Sequence, residues 1–514
     1  MDAQNLPKRI WRSDIAVISY LSLLYIFIHI LFINQYGYFR DEFYYVAYGE
    51  HLDFGYVDHP PLIAIIASLT HFLFGNSLFA LRIFSVVAGG ATVFLTGYIV
   101  RELGGKLFSQ VIAALSVIIA PVFLFVFHIL SMNSFDVLFW TVAAYILVRI
   151  INTDNPKLWV LFGIVIGIGL QNKHSILFLC FGLAVGLILT PNRKFLKDKW
   201  FWLGTFIAIL IFLPNIIWQI SHDYPTLEFG KNAALNKNMP LSPVEFVLEQ
   251  VLLAFLVPFI IVFIGLIFVF FNKEGKPYRI IGWIYLAIFM LFILTRAKVY
   301  YLSPIYPTMF ALGSYALCHL ISTKNLNWLK PITIILLLCG LISVPYTLPV
   351  LPVESFISYS KSLGVEPSEG ERHEMGVLPQ LYADMFGWED MAKKIAGVCR
   401  RLSTEEKMKT VVYGRNYGEA GTIDFFREKY DLPTAISGHN SYWLWGYGGD
   451  SIDVMIFIGG ADKQSKLEYF DYVEEAAVHI NKYAMPYENN LIIYLCKGFK
   501  TPLKNEWNEM KHYE

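Results

Sequence analysis

Charge is what this sequence has least of: 16% of its 514 residues are Asp, Glu, Lys or Arg, against 56% hydrophobic residues. A soluble domain carries about a quarter charged residues, so the composition argues against a soluble globular protein and for a membrane protein. The charges also cancel, with 41 basic and 41 acidic residues, which leaves no excess to hold nucleic acid. Cysteine is scarce as well. The five cysteines show neither CxxC nor Cys/His spacing for a metal. Cys180, Cys318 and Cys339 lie in apolar runs, whereas Cys399 and Cys496 lie in the C-terminal part and are free to pair if that part faces an oxidising compartment. Gly414, Gly418 and Gly421 lack GxGxxG spacing, which argues against a dinucleotide site. No inverted internal repeat of the transporter kind is present.

What the chain does have is a succession of long apolar runs. The first, 15–34, is long enough to span a bilayer, follows Lys8, Arg9 and Arg12, and has no small-residue cleavage site after it. It reads as a signal anchor. Runs at 78–100, 108–127, 134–151, 158–171, 175–190, 200–220, 245–271, 279–295, 301–321 and 331–348 bring the expectation to about eleven spans. Basic residues fall unevenly between them. Arg101, Lys106, Arg149, Lys157, Arg193, Lys194, Lys273 and Arg279 lie on the N-terminal side of the membrane, and the other side keeps few, among them Arg40, Arg82, Lys173, Arg296 and Lys298. The positive-inside rule then puts the N-terminus in the cytosol, and an odd span number puts residues 349–514 outside. The expected fold is an α-helical polytopic protein of the cell (inner) membrane over 1–348, with a first outer loop at 35–77. An extracytoplasmic α/β domain follows over 349–514, with strands at Thr410–Tyr413, 453–458 and 490–496 and helices at 419–430 and 466–479.

Polar residues gather on the predicted outer face. The first outer loop holds Asp41, Glu42, Glu50, Asp53 and Asp58 beside His59-Pro60-Pro61, and ionisable groups at a membrane face are a functional signal by default. Phe43, Val46, Ala47 and Glu50 have helical spacing for a short amphipathic helix at the interface, and 62–73 is apolar but too short to span. Asp41 and Glu42 suit helix capping, and equally a general base or a group that orients an acceptor hydroxyl or amine. Five acids against one arginine cannot hold a phosphate, so a phosphorylated donor needs cations from other loops. Arg82, Lys173, Arg296 and Lys298 are the candidates, each with snorkelling as the alternative. Tyr301 flanks the Arg296–Lys298 pair, as an interfacial belt residue or a substrate contact. His59 either donates to phosphate or braces the Pro60-Pro61 turn. Asn133 and Asp136 either cap a span or meet sugar hydroxyls or a metal. Trp218, His222 and Asp223 fit a belt followed by a polar loop, with His222 also a substrate-binding candidate. In the C-terminal part His439, Asn440, Tyr442 and Trp443 are candidate acceptor contacts.

Taken in order, several motifs resemble the bacterial membrane glycosyltransferases of the GT-C superfamily, relatives of protein O-mannosyltransferases and lipid A aminoarabinose transferases. They are Arg40-Asp41-Glu42, Asp58-His59-Pro60-Pro61, Asn172-Lys173-His174, Pro214-Asn215, His222-Asp223 and Lys298-Val-Tyr300-Tyr301. Ala383-Asp384, Tyr417-Gly-Glu419-Ala420-Gly and Gly438-His439-Asn440 continue the series. The resemblance implies a polyprenyl-phosphate-linked sugar donor, inversion at the anomeric carbon, and a lipid, glycan or protein acceptor. It places Asp41 at the family's catalytic acidic position and Glu42 beside it. The aminoarabinose transferases have a lysine for the donor phosphate where this chain has His59. Their later aspartate aligns with Asn133 by spacing from Trp140, or with Asp136 after a three-residue shift. No cofactor is required by the sequence, and a divalent metal stays open. The rival class is a multispan transporter of a lipid-linked or small polar substrate, which would place charges or broken helices at mid-membrane.

Overall fold

The structure, a computed structural model, describes residues 13–237, 241–367 and 374–514. The basic cluster Lys8, Arg9 and Arg12 lies outside these residues. The backbone sorts into two compact units that are discontinuous in sequence. One comprises Met1–Ile33, Arg82–Ile216 and Pro240–Val350, the other Asn34–Leu81, Ile217–Met239 and Leu351–Glu514.

The first unit is helical. Among the described residues six helices are long and apolar enough to cross a membrane, or up to eight if each of two bent pairs is one span. The sequence suggested about eleven, and several of its apolar runs contain helix breaks. The 245–271 run is two helices, Pro243–Ala254 and Leu256–Phe271, which bend by 111° where Phe255 takes φ +67°. The 108–127 run stops as a helix at Ile119, ahead of Pro121, whose nitrogen has no proton to donate. Leu158–Asn172 and Leu107–Ile119 are short apolar helices of 15 and 13 residues. Interhelical packing relies on small residues, as expected where lipid removes most of the hydrophobic drive. A Cβ on Gly163 would collide with the Gly204 carbonyl, and one on Gly204 with the Trp159 carbonyl, so these glycines let the 158–172 and 199–221 helices cross backbone to backbone.

The second unit contains a five-stranded mixed sheet of order β2-β1-β3-β5-β4: β1 (Thr410–Tyr413), β2 (Ala435–Ile436), β3 (Val454–Ile458), β4 (Phe470–His479) and β5 (Leu491–Phe499). β1 pairs in parallel with β2 and β3, and β5 runs antiparallel to β3 and β4. The three expected strands are present, and the expected 419–430 helix is Tyr417–Tyr430. The expected 466–479 helix is instead mostly β4. Its ladder with β5 shifts register between Glu475 and Ala477, and this irregularity disturbs the two-residue alternation. Before that point Phe470 and Val473, on opposite faces of the strand, are both buried, and their three-residue separation imitates helical spacing. Cys399 and Cys496 are both buried and unpaired, so the optional disulfide is not formed.

The first polar stretch belongs to this same unit. Arg40–Glu50 is a helix, but its seven residues from Glu42 to Tyr48 are all buried, so it is not a half-exposed interfacial helix. It packs against Leu62–Phe74 and against the 417–430 helix. The 62–74 helix keeps the apolar face expected of it, with Ile65, Leu69, Phe72 and Leu73 exposed.

Candidate functional site

The 40–50 helix begins at Phe39, with Asp41 and Glu42 in its first turn, where the helix dipole favours negative charge. The two acids then part company. Glu42 is fully buried and accepts the Phe39 N–H at 2.8 Å, satisfying one of the four amides a helix start leaves unpaired. Capping therefore falls to Glu42. Asp41 keeps 32% of its side chain exposed and sits 3.7 Å from the Arg40 Nε. Its Oδ1 accepts the Tyr417 hydroxyl at 2.8 Å.

Arg40 is fixed from several directions. Its Nη1 donates to the Tyr487 hydroxyl at 2.7 Å, its amide donates to the Asp384 carbonyl at 3.0 Å, and its guanidinium lies 5.4 Å from the Tyr417 ring centre. Burial opposes its charge, but Asp384, Tyr417, Tyr487 and Asp41 outweigh that and hold its pKa above the usual arginine value. Tyr417 is held in its neutral, hydrogen-donating form. Burial above all pushes its pKa well up, with Arg40 opposing and Asp41 adding to the rise.

The glycines of Tyr417-Gly-Glu-Ala-Gly make this contact possible. A Cβ on Gly418 would overlap the Arg40 side chain, and one on Gly421 would press on Phe43 at 3.0 Å. The start of the 417–430 helix thereby approaches the start of the 40–50 helix closely enough for Tyr417 to reach Asp41.

Asp58 and His59 form a second, closed cluster. Asp58 accepts the hydroxyls of Tyr48 at 2.5 Å and Tyr44 at 3.2 Å, and lies 3.0 Å from His59 Nδ1. Burial pushes the Asp58 carboxyl up, but the charge of His59 and the hydrogen bonds from His59 and Tyr48 bring it below the ordinary aspartate value. His59 is 8% exposed, turns Nδ1 inward, and gives its carbonyl to the Tyr56 amide at 2.9 Å, a bracing geometry for the turn before Pro60-Pro61. Exposed Asp53 accepts the Trp218 indole N–H at 2.7 Å, and His222 stacks on Trp218 at 4.2 Å.

The C-terminal candidates turn inward. Tyr442 donates to Asp424 at 2.9 Å, Trp443 to the Trp507 carbonyl at 3.1 Å, and Asn440 exchanges hydrogen bonds with Glu514. Arg415, Glu419 and Glu488 make a buried ionic cluster that the sequence reading did not single out. Arg415 donates to Glu419 from its amide at 2.6 Å and from Nε at 2.9 Å, and its Nη2 reaches Glu488 at 3.4 Å. Burial, and then the charge of Glu419, push the Glu488 carboxyl well above its usual range, with Arg415 opposing.

The first unit carries the other candidates. Lys173 Nζ donates to Asn133 Oδ1 at 2.6 Å and lies 5.3 Å and 5.0 Å from the ring centres of Tyr300 and Tyr301. Asp136 is almost fully buried, with both carboxylate oxygens engaged, one by Trp140 Nε1 at 3.1 Å and the other by Ser175 Oγ at 2.7 Å. Of the two positions the resemblance left open, Asn133 is the one that meets the lysine. Arg82 is fully buried and donates to the Ile33 carbonyl at 3.0 Å, so it is not a snorkelling residue. Arg296 is exposed at the end of the Arg279–Thr295 helix, in the left-handed conformation, and Lys298 leads into the short helix Val299–Ile305 that carries both tyrosines. Among the described residues no group of three or more His, Cys, Asp or Glu side chains is placed to hold a metal ion.

Comparison with known proteins points one way. Residues 58–218 match the family model of dolichyl-phosphate-mannose-protein mannosyltransferases. Over nearly its whole length the chain superposes on crystal structures of ArnT from Cupriavidus metallidurans. The form bound to undecaprenyl phosphate gives a TM-score of 0.59 at 14% identity, covering 94% of this chain and 97% of that one. The chain thus resembles the membrane glycosyltransferases of the GT-C superfamily, and its fold is that of ArnT. The apo form of the same ArnT agrees, with a TM-score of 0.58 at 13% identity over 94% of this chain and 97% of that one. Among curated proteins, the lipid A galacturonosyltransferase RgtD of Rhizobium johnstonii is 24% identical over 204 residues, 38% of this chain. The match spans 41% of that relative's length. The match to the mannosyltransferase family model begins at Asp58, so it takes in His59, Asn133, Asp136 and Lys173 but neither Asp41 nor Glu42.

Proposed function

We propose that this chain transfers a sugar from a polyprenyl-phosphate-linked donor to an acceptor at the outer face of the inner membrane. In this reading its N-terminus is cytosolic and the 349–514 region extracytoplasmic. Asp41 is the base, or the orienting group, for the acceptor hydroxyl or amine. The observation that carries the reading is the state of Asp41. It is a partly exposed carboxylate at a helix start, with Oδ1 engaged and Oδ2 accepting no hydrogen bond from any described residue. Glu42, by contrast, serves the helix itself. A polyprenyl phosphate leaves as a weakly basic anion and needs no proton, so the donor side calls for cations rather than an acid. Lys173, mounted between Asn133 and two tyrosine rings, is the first candidate for that phosphate, with Arg296 and Lys298 behind it. The acceptor is a lipid, a glycan or a protein. The undecaprenyl phosphate of the ArnT crystal structure and the lipid A substrate in the name of RgtD favour a lipid-linked donor and a lipid acceptor.

The test is deletion of the gene, followed by mass analysis of surface glycans and lipids. Loss of one defined sugar, restored by the wild-type gene and not by Asp41→Asn, is the expected result. An unchanged envelope would favour transport over transfer, and restoration by Asp41→Asn would remove Asp41 from the chemistry.

A further inference from the structure

The sequence motif Tyr417-Gly-Glu-Ala-Gly brings a phenol to the one acid that the proposed reaction uses. We infer that Tyr417 is a positioning residue for Asp41: its hydroxyl holds Oδ1 so that Oδ2 is presented to the acceptor's proton. This rests on the reading of Asp41 given above.

A carboxylate on a short side chain rotates between orientations that present either oxygen or neither. A base delivers its full effect only when a third group fixes that orientation. Tyr417 has the rigidity the task demands. The residue is 7% exposed, and its ring stacks on Tyr44 at 4.4 Å with 13° between the planes. Its main chain opens the 417–430 helix directly after the cap residue Asn416, whose side chain accepts the amides of Gly418 at 2.9 Å and Glu419 at 3.1 Å.

The Tyr417 amide donates to His439 Nδ1 at 3.3 Å, and His439 Nε2 lies 3.0 Å from the Glu514 carbonyl oxygen. An amide can only donate and a carbonyl can only accept, so His439 is the tautomer with its proton on Nε2. Each link fixes the one before it, and the series ends on the Asp41 carboxylate. The carboxylate cannot donate, so the phenolic proton points at Asp41 and is not shared with the Arg40 guanidinium over the ring.

Packing between the two helices does not depend on that hydroxyl. Gly418 against Arg40 and Gly421 against Phe43 bring the helices together, and the ring of a phenylalanine would stack on Tyr44 as the tyrosine does. Tyr417→Phe therefore separates positioning from folding.

The assay uses membrane vesicles containing the full chain. Polyprenyl-phosphate lipids extracted from the parent strain are the donor, and envelope extract of the deletion strain is the acceptor. Tyr417→Phe is expected to lower kcat about tenfold, with apparent KM for both extracts within about twofold and the melting temperature within about 3 °C of wild type. Difluorotyrosine at position 417, which keeps the hydroxyl, is expected to restore kcat. Wild-type kcat in Tyr417→Phe, with Asp41→Asn inactive, overturns the positioning role and leaves the function standing. A joint fall of kcat and melting temperature that difluorotyrosine does not reverse also overturns it, in favour of a purely structural contact. Activity in Asp41→Asn overturns both.

Discussion

Two arginine–carboxylate pairs open two helices of the same unit, and they have opposite fates. Glu419 stands in the first turn of the 417–430 helix as Asp41 and Glu42 stand in the first turn of the 40–50 helix, each with an arginine alongside. Glu419 is fully buried and takes the amide, Nε and Nη2 of Arg415, with Glu488 closing the cluster. Asp41 receives one phenol and a guanidinium nitrogen at 3.7 Å, and keeps a third of its side chain in solvent. The residue types and helix positions are alike, so neither decides the role. Saturation decides it: a carboxylate with both oxygens engaged stabilises the fold, and one with an oxygen in reserve can act on a substrate.

The contrast breaks most visibly at Asp41. Asp41→Asn keeps the shape and the bond from Tyr417 but removes the basic oxygen. Transfer should fall about 10³-fold, within the range general-base catalysis supplies, while the melting temperature stays put. The mirror experiment is Glu419→Gln, which uncouples a buried ion pair. It should destabilise this unit by about 3 kcal/mol, near the lower end for such pairs because Arg415 is 31% exposed and Glu488 can ionise in Glu419's place. Thermal melts and limited proteolysis of the detergent-solubilised protein read this directly. A Glu419→Gln variant that melts like wild type but has lost its activity would reverse the assignment of the two pairs.

Asp424 sharpens the comparison, because it is a half-buried carboxylate that forms no ion pair with any described residue. Burial raises its pKa to about 6, partly offset by the Ala435 amide, Tyr442 and Arg427. The sign follows from the raised value. Its contribution to stability is complete below the unfolded value near 3.8 and is lost as pH rises through about 6. Asp424→Asn removes that dependence. Relative to wild type, the variant should gain about 2 kcal/mol between pH 4 and pH 8, measured as the difference between the two melting curves. An unchanged difference across that range would mean that Asp424 is not titrating in the folded unit.

Much of this was legible in the residues, for physical reasons that also mark where legibility ends. Apolar runs announced a membrane protein, polar clusters drew the eye to Asp41, and Thr410–Tyr413 read as a strand because short β-branched runs between turns have few alternatives. Helix breaks inside apolar runs were not legible. Lipid tolerates a bend that neighbouring helices satisfy, so Phe255 at φ +67° leaves no mark in composition. β4 was misread because both of its faces are partly buried, so buried residues such as Phe470 and Val473 fall three apart as they would on a helix. The partner of Asp41 lies 376 positions away, and nothing local to Arg40-Asp41-Glu42 points to Tyr417. The one available signal was the pair of glycines after that tyrosine, since small residues beside an aromatic mark a close helix approach. Spacing from Trp140 favoured Asn133 over Asp136 without settling the choice, and the burial of one and the lysine contact of the other tell them apart.

The smallest effect tests the finest distinction, between adjacent acids. Glu42→Gln leaves an oxygen to accept the Phe39 amide but removes the negative charge that the helix start favours. Stability should drop by about 1 kcal/mol, as for other changes at a helix cap, with transfer within a few-fold of wild type. If transfer fell as far as in Asp41→Asn while the melting temperature held, the two acids would be working as a couple. The division between a structural and a chemical carboxylate would then not run between Asp41 and Glu42. With transfer kept, it does, and burial alone has split two neighbouring residues of one helical turn.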